Sequence, residues 1–407
     1  MPLILENQQN VVNILLVSVR LVAASADTCG GKAGSLGALL RAGLPVPDGF
    51  VLPFSAYRAA VADLATDRPD AVRRALETRP LPPGVLDAIG RGLETLGDGP
   101  VAVRSSAANE DTAATSAAGQ HDSVLAVRGL ADVARAVRTC WVSLHSWRAT
   151  GYRDDHPPAM AVLVQRHVDA EVSGVMFTPT GPAGVTGIEA SWGLGPSVVG
   201  GTVTPDAYRV AADGSVTRRI ADKRTRLDRH GGRLVTRDVP PGVRYRASID
   251  DATAARLARL GQRVVATLGG AQDIEWAITG DRLWLLQARP ITAPLPAPRG
   301  ASAAPLAGTP ASSGTATGPA RVVRGPGDFG RVRPGDILVC PYTDPAWTPL
   351  LRVVAGVITE VGGVLSHAAI VARERGIPAV LGVPDATTRL DDGATITIDG
   401  ATGAITT

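Results

Sequence analysis

Apolar positions along residues 1–292 follow two different periods. Some stretches repeat every three or four residues, as an amphipathic helix does, and others form the short apolar or alternating runs that are typical of strands. The helical stretches are "KAGSLGALLRAG" (32–43) and "DVARAVRTCWVSLHSWRATGYR" (132–153). The strand-like stretches are "AMAVLVQRHV" (159–168), "VSGVMFT" (172–178), "AQDIEWAIT" (271–279) and "RLWLLQARPI" (282–291). This alternation predicts a large α/β domain.

Residues 306–407 carry shorter signals around one helical stretch, residues 367–375. The strand-like pieces are "TATGPARVV" (315–323), "GDILVCP" (335–341), "AGVITEVGG" (355–363), "IPAVLGV" (377–383) and "ATITIDG" (394–400). Strands grouped around a single helix predict a compact α+β domain of about a hundred residues.

The stretch "APLPAPRGASAAP" (293–305) separates the two parts. It is rich in Pro, Ala and Gly and lacks large apolar residues, as a linker does. Extended at roughly 3.1 Å per residue, it would reach about 40 Å. The predicted division is therefore 1–292, a linker at 293–305, and 306–407.

Composition narrows the class of protein. The 407 residues are 45% hydrophobic and 19% charged, which is typical of soluble globular domains. The formal charge is +3 and the basic residues are spread out, so neither a nucleic-acid partner nor a membrane surface is indicated. Cys29, Cys140 and Cys340 are odd in number and far apart, which predicts buried thiols in a reducing compartment.

The N-terminal run "VVNILLVSVRLVAA" (11–24) is apolar, but Asn13 and Arg20 interrupt it. No basic region precedes it, and it is too short to span a bilayer, so we expect a cytoplasmic protein. Residues 1–20 are either an edge strand or a loosely attached extension, and the sequence leaves both open.

Two positions in the first domain are candidates for binding phosphate. Two glycines precede Lys32 and a helix follows it, which would turn backbone amides and an ammonium toward an anion. The alternative is a glycine turn with a solvated lysine. Arg104 ends an apolar strand and leads into a Ser/Thr/Gly-rich loop within residues 101–127. That loop is either a lid over a polyphosphate or a disordered surface loop.

Residues 272–292 predict a hairpin that turns near residues 279–282. Period-two alternation places Asp273 and Glu275 on one face of its first strand, and Gln287 and Arg289 on one face of its second. Oxygen ligands of this kind suit the Mg²⁺ of a nucleotide, and the arginine suits a terminal phosphate. The alternative is a hairpin held together by salt bridges.

His367 stands at the predicted start of the helix in the second domain. Ser366 is a suitable N-cap, residues 368–375 are helical in pattern, and Gly376 and Pro378 supply a stop. The helix dipole would keep the ring neutral and would favour a phosphoryl group on it. Three hypotheses for His367 are capping of the helix, ligation of a metal and nucleophilic attack. The main alternative to the nucleophile is an ordinary surface histidine.

The first domain resembles the ATP-grasp nucleotide-binding domain of the superfamily that contains phosphoenolpyruvate synthase, pyruvate phosphate dikinase and rifampin phosphotransferase. The resemblance runs from about residue 22 to 292. It rests on "GGKAGSLGALLRAGLPVPDGF", "VAVRSSA", "SAAGQ", "AVLVQRHVDAEVSGVMFT", "EASWGLGPSVVGG", "QDIEWAI" and "LWLLQARPIT".

The resemblance implies a role for each matching residue. Lys32 and Arg104 would bind the phosphates of ATP, Glu275 and Gln287 would hold Mg²⁺, and Arg289 would contact the terminal phosphate.

Three further positions follow from the same resemblance. The segment from Gln165 to Val168 would line the adenine pocket, and Glu189 would lie near the nucleotide. One departure is Ala117, which stands where the family's lid carries an aromatic residue.

The stretch "DILVCPYTDPAWTPLLRVVAGVITEVGGVLSHAAIVARERGIPAVLGV" (336–383) resembles the swivelling phosphohistidine domain of the same superfamily. His367 matches the histidine that is phosphorylated. The residues that would support it are Thr359, Gly362, Gly363 and Ser366. The implied architecture is an ATP-grasp domain joined by a flexible linker to a small β/β/α-type phosphohistidine domain.

The resemblance implies an ATP-dependent phosphotransferase that forms a phosphohistidine, releases AMP and phosphate, and delivers the phosphoryl group to a small-molecule acceptor. Full-length members carry a further acceptor-binding domain, and we expect this short form to lack it. The acceptor would then bind between the domains or on a partner chain. A regulator that binds ATP without turnover, and phosphorylation that activates a hydroxyl for elimination, are the remaining alternatives.

Overall fold

The structure is a computed structural model, and it describes residues 18–64, 68–108, 123–145, 159–181, 184–292, 304 and 306–407. The predicted linker, apart from residue 304, and most of the predicted lid with Ala117 lie outside the described residues. Within the described ranges, no helix is both long and apolar enough to cross a membrane.

The N-terminal region, residues 18–292, contains eight α-helices and thirteen strands within its described ranges. The helices are α1 (Ala26–Arg41), α2 (Phe54–Val61), α3 (Pro69–Thr78), α4 (Pro83–Leu96), α5 (Leu130–Ser143), α6 (Pro196–Val199), α7 (Pro241–Arg244) and α8 (Asp251–Leu268). The strands are β1 (Val19–Arg20), β2 (Gly49–Leu52), β3 (Val101–Ala107), β4 (Ser123–Val127), β5 (Met160–Arg166), β6 (Val172–Phe177), β7 (Thr186–Trp192), β8 (Asp206–Val210), β9 (Val216–Arg219), β10 (Thr225–His230), β11 (Arg233–Asp238), β12 (Gln272–Thr279) and β13 (Arg282–Pro290).

 The backbone of α1 is not helical at Gly30 (φ 79°), which divides this helix into two pieces.

Two antiparallel sheets form the frame of the N-terminal region. The first has the strand order β1-β2-β5-β3-β4, and the second has the order β13-β12-β6-β7-β8-β9. One face of the first sheet packs on α2 to α5, with Phe50, Ile89 and Trp141 in the contact. A second core joins α1 and α8 to both sheets and contains Leu36, Leu257 and Trp276. The opposite face of the second sheet is thereby left for the C-terminal region.

The C-terminal region, residues 304–407, is built on a mixed sheet whose described strands have the order β14-β21-β20-β16-β17-β18-β19-β15. Its strands are β14 (Leu306–Ala307), β15 (Thr309–Ser312), β16 (Thr315–Val322), β17 (Ile337–Cys340), β18 (Gly356–Thr359), β19 (Ala379–Leu381), β20 (Thr395–Asp399) and β21 (Ala404–Thr406), and its helices are α9 (His367–Arg375) and α10 (Ala386–Arg389). Strands β16 to β19 run parallel, with α9 between β18 and β19 as the crossover.

Helix α9 begins at His367 and ends at Arg375, as the sequence predicts, and Gly376 adopts the left-handed conformation (φ 66°) that closes it. Ser366 occupies the N-cap position, but its hydroxyl makes no capping hydrogen bond. It donates instead to the carbonyl of Gly363 at 2.8 Å. Ser366 is therefore the N-cap residue by position, as predicted, but its side chain bonds to the glycine loop and does not cap the helix.

Two other expectations are corrected or resolved. Arg104 lies in the middle of β3, a strand buried along its whole length, rather than at a strand end. The apolar run "VAVRSSA" does not reveal this, because small polar residues continue the strand beyond the arginine. Val19 and Arg20 form an edge strand paired with β2, and residues 1–17 lie outside the described residues. The three cysteines are free and buried, as predicted.

The two regions pack together across the exposed face of the second sheet. An apolar cluster joins Val175 and Phe177 of β6 to Leu365 and Ile370 of the C-terminal region, with Val198 and Val203 beside them. This contact brings the start of α9 onto the N-terminal region.

Candidate active site

Strands β7, β12 and β13 of the second sheet carry charged side chains on the face that contacts the C-terminal region. Cross-strand partners point to the same side of a sheet. Glu275 pairs with Gln287 on one side and with Val175 on the other, and Val175 pairs with Glu189. Asp273 pairs with Arg289 in the same hairpin. The turn predicted near residues 279–282 is present, and its charged residues share a face, as the period-two pattern predicts.

Arg104 reaches from β3 of the first sheet to this hairpin. Its Nη2 donates to Glu275 Oε2 at 3.2 Å and to Gln287 Oε1 at 2.6 Å. Its Nη1 donates to the carbonyl of Leu286. A carboxylate oxygen and an amide oxygen thus face one cationic nitrogen. Since both are hard oxygen ligands that already converge on a positive charge, they fit a divalent cation such as Mg²⁺.

Arg289 is buried and donates through Nε to Asp273 Oδ2 at 2.8 Å. Burial raises the pKa of Asp273, and the positive charge of Arg289 opposes that rise. The ion pair fixes the arginine on the sheet face beside Glu275 and Gln287. An arginine held in this way is suited to binding a phosphate in a defined orientation.

Lys32 lies on the first turn after the break at Gly30, where an added Cβ would come within 2.3 Å of the Ser106 carbonyl oxygen. Its ammonium is buried rather than solvated and donates to the carbonyl of Ser105 at 2.8 Å. The tight contact between α1 and β3 therefore places the ammonium of Lys32 against the strand that carries Arg104.

The residues predicted for the adenine pocket are found in two settings. Gln165 is buried at the end of β5, and its side-chain amide donates to the carbonyl of Pro47 at 2.9 Å. Val168 packs into a small apolar cluster that also contains Leu194 and Leu286. Because Leu286 lies beside Gln287, this cluster is close to the charged hairpin.

His367 is buried, with 4% of its surface exposed, between two threonine hydroxyls. Thr343 Oγ1 lies 3.1 Å from Nδ1, and Thr348 Oγ1 lies 3.2 Å from Nε2. Burial, and secondly the positive charge of Arg289, lower the pKa of His367 to about 4. The ring is therefore neutral near pH 7, and the influence of Arg289 links it to the charged sheet face.

The loop before His367, residues 360–366, has a compact backbone and is called the histidine loop below. Thr359 donates to the carbonyl of Val361 at 2.6 Å, at the point where β18 ends. Gly362 has a φ of 111°, which disfavours other residues. Gly363 lies so close to the N-terminal region that an added Cβ would come within 2.3 Å of the Glu189 carboxylate. The predicted supporting residues thus lie at the end of β18 and in the loop before the histidine, and their roles stay predictions.

Glu189 accepts hydrogen bonds across the contact between the two regions. Its Oε1 accepts from the backbone N–H of Val364 at 2.7 Å, and its Oε2 accepts from that of Leu365 at 3.0 Å. Burial raises its pKa to about 7, and these two hydrogen bonds oppose the rise. The predicted position near the nucleotide stays a prediction, and the described contact is with the histidine loop.

Sequence reasoning missed three residues around the histidine: Thr343, Thr348 and Arg373. The threonines belong to "TDPAWTP" (343–349), which is part of the stretch that resembles the phosphohistidine domain. Polar residues in an otherwise apolar segment were the available signal. Nothing in the local pattern ties them to His367, because the contact spans 24 and 19 residues.

The fold and the site define a class of enzymes in which an ATP-grasp domain is combined with a second domain of the PEP-utilising type. The chain belongs to the family described as "Pyruvate phosphate dikinase, AMP/ATP-binding domain", whose sequence profile matches residues 26–297. Residues 332–403 match the profile described as "PEP-utilising enzyme, mobile domain". The suspected superfamily is thereby confirmed.

Two of the curated relatives that the chain matches are named as phosphoenolpyruvate synthases. A "Probable phosphoenolpyruvate synthase" of Methanothermobacter thermautotrophicus is 36% identical over 416 residues, which cover 92% of this chain and 61% of the relative. The "Phosphoenolpyruvate synthase" of Aeropyrum pernix is 36% identical over 456 residues, which cover 92% of this chain and 56% of the relative. The chain therefore spans between 56% and 61% of the length of these relatives.

Solved structures overlap with parts of the chain. An NMR structure of Enzyme I is 30% identical, covers 19% of this chain and 32% of its own, and has a TM-score of 0.18. The D-alanine–D-alanine ligase of Bacillus anthracis is 8% identical, covers 63% of this chain and 54% of its own, and has a TM-score of 0.27. Overlaps with TM-scores this low carry no argument about function.

Proposed function

We propose that the chain is an ATP-dependent phosphotransferase that forms a phosphohistidine on His367 and releases AMP and phosphate. The phosphoryl group then passes to a small-molecule acceptor. The observation that carries this proposal is the docking of a neutral, buried His367 on the region whose sheet face bears Glu275, Gln287 and Arg289. The match to an AMP/ATP-binding family supports ATP as the phosphoryl donor.

The proposed nucleotide site lies between the two sheets of the N-terminal region. Lys32, Arg104 and Arg289 are the cations that would bind the phosphates, and the segment from Gln165 to Val168 would line the adenine pocket. Glu275 and Gln287 would hold Mg²⁺, which neutralises phosphate charge when it is bound. Arg104 would then exchange its contacts with these two oxygens for contacts with phosphate.

The proposed chemistry begins with the neutral imidazole. With the ring proton on Nδ1 and donated to Thr343, Nε2 carries the lone pair and accepts from the Thr348 hydroxyl. Once that hydroxyl turns away, the lone pair of Nε2 attacks the β-phosphorus of ATP. The bond from that phosphorus to the oxygen bridging it to the α-phosphorus breaks, and AMP leaves. Water or phosphate then attacks the outer phosphorus of the pyrophosphohistidine, and its bond to the inner phosphoryl group breaks. Phospho-His367 remains.

The experiment uses ATP that is labelled at the β-phosphorus, with Mg²⁺ present. We expect the purified chain to release AMP and to retain about one label per chain. His367→Ala should do neither. His230→Ala should do both, since His230 is exposed at the end of β10. Retention of label by His367→Ala, or absence of AMP with the unaltered chain, would overturn the proposal.

A second candidate keeps the first half-reaction but places the acceptor site on a separate chain. The curated relatives extend well beyond the part that this chain matches. Phosphorylated chain that is stable alone, and that loses its label only when a partner protein is added, would support this candidate. Loss of label to a small acceptor alone would contradict it.

The proposal also includes the predicted division into an ATP-grasp domain at 1–292, a linker at 293–305 and a phosphohistidine domain at 306–407. The expected compartment is the cytoplasm, where ATP and a small phosphoryl acceptor would both be available.

A further inference from the structure

Glu189 is the buried charged group of the N-terminal region that contacts the histidine loop. It projects from the middle of β7, and both of its carboxylate oxygens accept backbone hydrogen bonds, from Val364 and Leu365. Gly363 allows this approach, because any side chain there would overlap the carboxylate. A carboxylate with two charge-assisted hydrogen bonds is held in a defined place.

Two further polar contacts between the described parts of the two regions lie in more exposed positions. Arg219 donates to Thr309 at 3.1 Å, and Thr292 donates to Glu374 at 2.7 Å, both in exposed settings. Glu189 instead lies beside the buried apolar cluster that joins the regions through Phe177 and Leu365. Buried polar contacts fix the register of an interface more strongly than exposed ones do.

Arg373 of α9 holds the histidine loop from its other side. Its Nη1 donates to the carbonyl of Val364 at 2.7 Å and to that of Ala311 at 2.9 Å. Its positive charge opposes the rise in the pKa of Glu189. The peptide units around Val364 are thus bound on the N–H side by Glu189 and on the carbonyl side by Arg373. His367 follows three residues later, so the position of this loop sets the position of the ring.

We propose that Glu189 is a positioning residue that docks the histidine loop on the N-terminal region and thereby aligns His367 with the phosphate site. The effect of Glu189 on phosphoryl transfer rests on the proposed function. The docking contact does not depend on that function. Undocking would return the carboxylate to water and free the amides of Val364 and Leu365. The contact is therefore reversible, because water can replace both hydrogen bonds.

The rival explanation is the predicted role of Glu189 beside the nucleotide. It shares a sheet face with Glu275 and lies two strands away, which is about 10 Å at the usual strand spacing. A nucleotide ligand would affect ATP affinity. A docking residue would affect the histidine loop and the rate of phosphorylation, and would leave ATP affinity unchanged.

The first test compares Glu189→Gln with Glu94→Gln, a control that removes an exposed carboxylate on α4. The amide of glutamine can accept one backbone N–H, but its NH₂ group faces the other. We expect faster hydrogen exchange at Val364 and Leu365, and a single-turnover rate of His367 phosphorylation lowered about tenfold. The equilibrium affinity for ATP and the melting temperature should stay as in the control.

Gly363→Ala tests the same contact from the C-terminal region. Its Cβ would displace the carboxylate, so we expect the same two effects as for Glu189→Gln. Because both variants break one contact, their combination should add little to either alone. Additive effects, unchanged exchange at Val364 and Leu365, or weaker ATP binding in Glu189→Gln would overturn the inference. If the unaltered chain forms no phosphohistidine, the proposed function fails, while the exchange measurement still decides the docking role.

Discussion

At the scale of the residue, His367 differs from a surface histidine because its imidazole ring is buried away from water. The sequence suggests that the helix dipole keeps the ring neutral, but burial is the larger cause of its low pKa, and Arg289 is the second. Its hydrogen-bond partners Thr343 and Thr348 lie in the C-terminal region, whereas Arg289 lies in the N-terminal region. The protonation of His367 therefore responds in part to a residue of the other region, which no local sequence pattern could reveal.

The titration of His367 gives a direct prediction. Its pKa is lowered from 6.5 to about 4, so the docked ring is neutral at neutral pH and takes up a proton only as the pH falls toward 4. Ring resonances followed by NMR, and assigned with His367→Ala, should show no titration of His367 between about pH 8 and pH 5.5.

The same measurement on Glu189→Gln provides the contrast. Undocking would separate the ring from Arg289, whose charge lowers its pKa, and would move that pKa toward the ordinary value of about 6.5. A midpoint near 6.5 in the unaltered chain would contradict a buried ring.

At the scale of the element, the hairpin β12–β13 was predicted well because its information is local. Period-two alternation fixes which side chains share a face, and a short turn fixes the register. The position of Arg104 within β3 was predicted less well. The end of a strand depends on its neighbours, and β3 continues because it pairs with β5 along its full length.

Strand β8 carries a buried ion pair whose loss should be costly. Lys223 donates to Asp206 Oδ1 at 2.6 Å, and both side chains are fully buried. Asp206 Oδ2 also accepts from the N–H and hydroxyl of Ser248 at 2.8 Å. Lys223→Met would leave the carboxylate buried without its cation, which typically costs about 3–5 kcal/mol.

Denaturant unfolding measures this effect. Asp251→Asn is the matched control, because it removes an ion pair with Arg218 whose side chains are 46% and 55% exposed. Its effect should be much smaller, as is usual for exposed pairs. Equal losses in the free energy of unfolding would show that the buried pair of Lys223 and Asp206 stabilises the fold no more than an exposed pair does.

At the scale of the whole molecule, the structure describes the two regions in contact, with His367 facing the N-terminal region. Local patterns indicate the fold of each region, and the resemblance indicates which residues to examine. The docking contact could not be predicted, because Glu189 and Val364 are 175 residues apart. Only folding of both regions brings the carboxylate to the amides.

A disulfide across the contact tests whether the docked arrangement is the one that reacts. A Cβ built at Gly201 lies 3.1 Å from Ser366 Cβ, slightly shorter than the roughly 3.5–4.5 Å of a disulfide, so a small shift would allow the bond. The three natural cysteines are buried. We expect oxidised Gly201→Cys/Ser366→Cys to form phosphohistidine and AMP from ATP at the rate of its reduced form.

The reduced protein and the two single variants are the controls. An oxidised protein that cannot be phosphorylated until reductant is added would mean that the reacting arrangement differs from the docked one. Such a result would also contradict the alignment of His367 with the phosphate site.

The carboxylate that docks the histidine loop has a consequence for the direction of the cycle. A phosphoryl group on His367 adds a charge of about −1.5 to −2 at neutral pH, and it would arise three residues from amides that are already bound to an anion. Like charges in a buried contact repel strongly, so the reaction product itself would loosen the contact that produced it. Phosphorylation would then give the cycle a direction. The loop docks while the ring is neutral, and the docked state is destabilised once the ring carries the phosphoryl charge.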